Sequence, residues 1–496
     1  MAITRRQFIS RTGLATAGAL FGPSLFRNPW LQQAMAATIG DRYLITLFLD
    51  GGNDGLNTVI PVSGGGAGLR ADYETWRRPP GSGGIRIVSP LVPTKPMLDA
   101  NTGNTQLGFH PGFASLRDMY DQNMVAVIQG CGYPEYNLSH DVARSIWRRG
   151  APLSTPGTGW LGRYLQAAGY VGSDIPAVNI GGEVAGEFIQ SATSVLVFSR
   201  LKDFGFPYDI DYDEPGEPDD TSFKDTAFTQ LNGAMGAGGN GNPAMQYLGS
   251  TGTATLLATG SYPPLHTDYV NRSGSFNDTY PTTSTARALR EIAKVIYGTA
   301  RGVPNIGARF FELGNGGYDT HSDQGSDNPD DQQFALHQEV GDALKLFFQD
   351  LTGMAGEYTP MKPGLQNLDK KVVVMVYSEF SRRIEQNDNG TDHGSQGPMF
   401  VIGGGVTGGV YGEHPNIQAQ SGNSGLDDDG NTQYKQDHSN LARSTDMRDV
   451  YGTLIKHWLG ITDAPTLASL LPLDSTLGFS GPDYWTVANF NLGFLP

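Results

Sequence analysis

The chain has 496 residues, of which 50 are acidic and 34 are lysine or arginine, giving a formal charge of −16. A surface of that sign repels nucleic acid and anionic lipid, so neither is expected as a partner. Cys131 is the only cysteine, which excludes an intramolecular disulfide and a zinc site built on thiolates. A divalent metal in this chain must be held by His, Asp or Glu, a donor set compatible with zinc, calcium, magnesium or manganese.

The first residues, MAITRRQFISRTGLATAGALFG, place Arg5-Arg6 before a mildly apolar stretch, and Ala34-Met35-Ala36 offers a small-residue cleavage site. This resembles a twin-arginine export signal, which implies the export machinery as a partner and a periplasmic or secreted protein. The apolar part from Gly13 to Phe21 is about half of the ~18 residues needed to span a bilayer, so no membrane anchor is expected in the mature chain. Residues 1–36 carry four arginines and no acid, which takes the remainder from −16 to −20. That remainder, 37–496, is expected to form one main α/β domain.

Tyr43–Leu49 (YLITLFL) reads as a strand buried on both faces, ending in the turn Asp50-Gly51-Gly52-Asn53-Asp54. Glycines allow a sharp turn and a close ligand approach, and Asp50 at the strand end would project into a crevice; the alternative is an ordinary Asx-rich turn. Residues 61–108 lack periodicity and read as a surface excursion forming a rim. Gly112–Asp121 reads as a short helix and Met124–Gln129 as a second buried strand. Ser139 is placed as the N-cap of a helix over Asp141–Arg149. It is either a nucleophile at the positive end of the helix dipole or a capping serine, while the adjacent His140 is a metal ligand, an acid/base or a structural histidine.

Residues 171–281 shift to Gly, Ser, Thr, Asp and Tyr and read as an insertion or lid, with an acidic solvated run at 209–220. A helix over Ser284–Ala300 and a strand over Ala308–Leu313 follow. The strand leads into Gly316-Gly317-Tyr318-Asp319-Thr320-His321, where Asp319 and His321 project to one side of an extended segment and can reach one metal. Phe334–Leu351 carries an apolar helical stripe, and His337 on it is read as structural. Val372–Tyr377 is the most strand-like run, and the loop beyond it brings Ser378, Glu379, Arg382, Asp392 and His393 to the carboxyl edge of the sheet, where open α/β sheets bind ligands. Met447–Leu459 reads as a helix begun by Asp446.

The ordered set RYLITLFLDGGNDGLNTVIP, GYPEYNLSHDVARSIW, GGYDTHSDQ, VVVMVYSEFSRR and TDHGSQGPMFVIGGG resembles the exported family of domain of unknown function 1501 and, more distantly, the alkaline phosphatase and sulfatase superfamily. The resemblance implies a doubly wound, mostly parallel sheet of that type with loop-rich insertions. It implies metal ligands at Asp50, Asp319, His321, Glu379 and His393, a nucleophile position matched by Ser139 or by His140, and an arginine, Arg382, on the substrate oxyanion. Ser378-Glu379 stands where that superfamily carries an Asp-His pair. The expected function is a metal-assisted hydrolase of phosphate or sulfate esters acting on an anionic small-molecule or polysaccharide ester. The alternative is a catalytically degenerate relative serving in binding or envelope assembly.

Overall fold

The computed structural model describes residues 40–62, 69–81, 83–99, 104–154, 157–170, 175–189, 194–205, 221–237, 242–355, 363–415, 417, 440–441, 443–481 and 484–496. The expected signal at 1–36 and the acidic runs at 209–220 and 422–437 lie outside the described residues.

Among the described residues one nine-stranded sheet organises the chain. Its strands are β1 (Tyr43–Asp50), β2 (Val125–Gly132), β3 (Ala177–Ile180), β4 (Val195–Phe198), β5 (Phe310–Gly316), β6 (Val372–Ser378), β7 (Gly397–Ile402), β8 (Gly409–Tyr411) and β9 (Thr445–Asp446). The order across the sheet is β8-β2-β7-β6-β1-β5-β3-β4, with β9 beside β2. β7 runs antiparallel to β2 and β6, and the other pairings are parallel.

The central strands are apolar without alternation because helices cover both faces. The helices include α1 (Ala114–Asp121), α2 (His140–Arg149), α3 (Trp160–Ala167), α4 (Thr221–Ala237), α5 (Pro243–Val270), α6 (Ser284–Ala300), α7 (Gln332–Met354) and α8 (Met447–Thr453). Tyr43, Ile45, Leu47, Val372, Val374 and Val376 pack on one face with Ile292 and Ile296 of α6 and Leu344 and Phe347 of α7. Leu44, Phe48, Val373, Met375 and Tyr377 pack on the other with Trp160 and Tyr164 of α3 and Tyr451 of α8. Each fully buried Val, Leu or Ile of this kind contributes about 1.5–3 kcal/mol relative to exposure. The chain is therefore a mixed α/β protein on a mostly parallel sheet, with helices on both faces.

Two stretches carry more order than their composition suggested. Residues 171–281 supply β3 and β4, which extend the sheet, and α5, whose Leu265 packs against Gly298 of α6. Residues 61–108 include the helix Leu69–Trp76 and strands Leu98–Asp99 and Thr105–Phe109, the latter pairing with Val59–Pro61. What pins this excursion is not periodic: Arg77 makes a bidentate ion pair with Asp54 at 2.8 and 3.0 Å, both side chains fully buried.

The strands flanking β1 end level with it. Asp50 pairs in register with Gly316 and Leu49 with Ser378, so the turns after β1, β5 and β6 meet at one edge. No helix among the described residues is long and apolar enough to cross a membrane.

Candidate metal centre

The turn after β1 is the floor of the site. Gly51 and Gly52 adopt φ of +120° and +82°, conformations that favour glycine. A Cβ on Gly51 would sit 2.3 Å from the backbone nitrogen of Asp319, and one on Gly52 would sit 2.4 Å from the Phe380 ring. The two glycines thus let the loops after β5 and β6 close onto the end of β1.

Arg382 locks these loops together. Its side chain is fully buried, donating from Nε to Gly52 O at 2.7 Å, from Nη1 to Thr391 O at 2.9 Å, and from Nη2 to Tyr318 O at 2.9 Å and Asp319 Oδ1 at 2.7 Å. Burial works to raise the pKa of Asp319, but the hydrogen bond and charge of Arg382, joined by His393 and His321, outweigh it and hold the carboxyl below its ordinary value. Asp319 is therefore an anion at neutral pH while remaining 48% exposed.

Three imidazoles converge on that anion. His140, first residue of α2, has Nδ1 2.7 Å from Glu379 Oε1 and Nε2 3.4 Å from Asp319 Oδ2. His393 has Nδ1 2.7 Å from Leu138 O and Nε2 3.3 Å from Asp319 Oδ1. His321 has Nδ1 3.2 Å from Asp392 Oδ1 and Nε2 3.1 Å from Asp319 Oδ1 and 2.9 Å from His393 Nε2. One ligand atom from each of His140, Asp319 and His393 lies within 4.8 Å of the other two.

For two rings the closer partner favours one tautomer. Nδ1 lies 2.7 Å from Glu379 in His140 and 2.7 Å from Leu138 O in His393, against 3.4 and 3.3 Å from Nε2 to Asp319, so in the neutral rings the proton sits on Nδ1 and the lone pair on Nε2. His321 lies between Asp392 and Asp319 at 3.2 and 3.1 Å, and a proton on its Nε2 makes the 2.9 Å contact with His393 Nε2 a hydrogen bond. Two lone pairs and the Asp319 carboxylate, from His140, His393 and Asp319, then border one small volume. Burial lowers the pKa of His393, opposed by its bond to Leu138 O and reinforced by the charges of Arg382 and His140, so this ring gains no proton readily. A nitrogen-rich set suits zinc, manganese or iron better than calcium or magnesium, whose ligands are oxygens.

The residues singled out in the sequence divide into those at the cluster and those beside it. His140, Asp319, His321 and His393 form it. Glu379 is fully buried and stands behind His140, accepting also from Gly51 N at 2.9 Å, so it orients an imidazole instead of lining the open face. Arg382 is not free for a substrate oxyanion, because its nitrogens are engaged by backbone carbonyls and Asp319. Asp50 faces Arg144 at 3.4 Å. Ser139 is the N-cap of α2 without a side-chain capping bond, and its exposed hydroxyl touches no base among the described residues. Sequence reasoning missed the Leu138 carbonyl and Arg144. The carbonyl carries no side-chain signal, whereas Arg144, one turn after His140, was visible as helical spacing.

A comparison with curated proteins finds no match. Residues 297–427, which carry Asp319, His321, Glu379, Arg382, Asp392 and His393, match the family described as a protein of unknown function, DUF1501.

Proposed function

We propose that the protein is an exported, metal-assisted hydrolase of phosphate or sulfate esters, built on a sheet of the alkaline phosphatase and sulfatase type. The observation that carries this reading is the convergence of three imidazole Nε2 atoms on the ionised Asp319 at the carboxyl edge of a parallel sheet. His140, Asp319 and His393 would hold the ion, with His321 adjoining. A divalent metal there would supply Lewis acidity to an ester oxygen and acidify a water molecule.

The chain's own residues do the rest. Glu379, Leu138 O and Asp392 aim the three rings, and Arg382 keeps Asp319 charged. Arg144 stands at the open rim, its guanidinium held between Asp50 and Asp141 at 3.4 and 2.8 Å. The absence of a base on Ser139 among the described residues favours water as the nucleophile over this hydroxyl.

The same bare Ser139 favours a second reading, a degenerate relative that binds and does not hydrolyse. Turnover of p-nitrophenyl phosphate and p-nitrophenyl sulfate, measured before and after chelation and with zinc or manganese restored, separates the two. The hydrolase reading expects activity lost on chelation and recovered with metal. Absence of turnover of either ester by metal-loaded protein supports the binding role.

A further inference from the structure

Beside the metal centre, α2 runs along a recess of about 290 Å³ that no part of the proposed chemistry uses. His140, Arg144 and Arg148 are spaced i, i+4 and i+8, so they share one face of α2, with Arg144 about 6 Å and Arg148 about 12 Å along the axis from His140. Asp141, Arg144, Ser145, Arg149, Thr158 and Glu183 line the recess. The cavity therefore starts one helical turn from the ligand histidine.

Carboxylates outnumber its arginines. Arg148 meets buried Glu187 and Glu312 at 3.4 and 3.2 Å, and Arg144 meets Asp50 and Asp141. Arg149 and Glu183, both lining the recess, have no such partner among the described residues. The excess of carboxylates disfavours a second anionic group there. The side chains of Ser145, Arg149, Thr158 and Glu183 make no hydrogen bond or ion pair among the described residues, which leaves donors and acceptors of both kinds facing the space. Val184 and Ile189, 42% and 48% exposed, are the apolar residues of the lining. The volume holds on the order of ten water molecules.

We infer that this recess holds the body of the substrate and that the body is a neutral, hydroxyl-rich ring such as a sugar, whose phosphate or sulfate ester then reaches the cluster around Asp319. The inference rests on the hydrolase reading for the ester but not for the sugar. Vicinal hydroxyls donate to Glu183 and accept from Arg149, while an aryl or lipid body would leave these groups unpaired at a cost.

Saturation-transfer NMR tests it with a panel of methyl glycosides of glucose, galactose, mannose and N-acetylglucosamine, carrying no ester. At least one is expected to bind the full chain. Arg149→Ala and Glu183→Ala should each weaken that binding about tenfold, the size expected for a lost charged hydrogen bond, and Arg149→Lys should restore most of it. Because both side chains lack internal partners, the thermal midpoint serves as the check that folding is intact. Failure of every glycoside to bind, or binding unchanged in both alanine variants, overturns the inference. Turnover of p-nitrophenyl phosphate and sulfate is followed in the same preparations: sugar binding without turnover removes the hydrolase reading alone, and turnover without sugar binding removes the recess alone.

Discussion

The molecule holds two histidine groups that differ in everything except residue type. His110 and His337 stack at 4.8 Å inside the core, fully buried. His337 faces Gln333 O through Nδ1 at 2.7 Å and Thr58 Oγ1 through Nε2 at 3.0 Å, and His110 Nδ1 accepts from Gly112 N at 3.0 Å. Both nitrogens of His337 and Nδ1 of His110 are satisfied by hydroxyl and backbone groups. His140, His321 and His393 instead spend each Nδ1 on an acceptor and turn each Nε2 toward one exposed carboxylate. The second group differs from the first in gathering its Nε2 atoms around an exposed carboxylate.

The contrast breaks first at Asp319. Asp319→Ala should remove bound metal and cut ester turnover by more than about a hundredfold, beyond the loss expected for an orienting residue, whereas His110→Gln should leave metal content unchanged. Mass-spectrometric metal analysis beside turnover checks both. A comparable contrast divides the two carboxylates of the turn after β1. Asp54→Ala strands buried Arg77 and should cost about 3–5 kcal/mol, read as a lower denaturant midpoint, while Asp50→Ala, on an exposed carboxylate, should cost less than about 1 kcal/mol.

The buried pair makes its own prediction. Burial pushes His337 down to about 3 and His110 well below the ordinary histidine value, where the charge of His337 adds to the effect. Both are neutral when folded and gain protons when unfolded. Their contribution to stability is therefore present above about pH 6.5 and is lost as pH falls toward about 3. The slope is on the order of 1.4 kcal/mol per pH unit for each ring. Urea midpoints at pH 7, 5 and 4 should fall less steeply for His337→Gln than for the wild type; parallel slopes would contradict this assignment.

The smallest expected effect lies behind the cluster. Glu379→Gln keeps an acceptor near His140 but removes the charge, and should weaken metal binding by about 10–100-fold with little change in folding. Unchanged metal affinity would return Glu379 to a purely structural role.

Much of the frame was legible in the sequence because burial on both faces writes itself as uninterrupted apolar runs. Val372–Tyr377 and Tyr43–Leu49 are the central strands β6 and β1, and Ser284–Ala300 is α6 with the same bounds. The strands β3 and β4 at one end of the sheet were not, because four residues each, set in polar surroundings, carry too little pattern. Asp319, His321 and His393 stood out because they follow strand ends. The roles of Glu379 and Arg382 did not: whether a side chain faces the open site or is spent on backbone carbonyls depends on loops meeting across more than 300 residues of sequence, as in Arg382 to Gly52.

The most direct test is the metal content of the full chain purified from its native host. About one zinc, manganese or iron ion per chain is expected, lost in Asp319→Ala and in His393→Ala, the latter with the thermal midpoint of the metal-free state unchanged, and retained in His337→Gln. A wild-type protein that takes up no metal, or holds it equally after both substitutions at the cluster, would contradict the account.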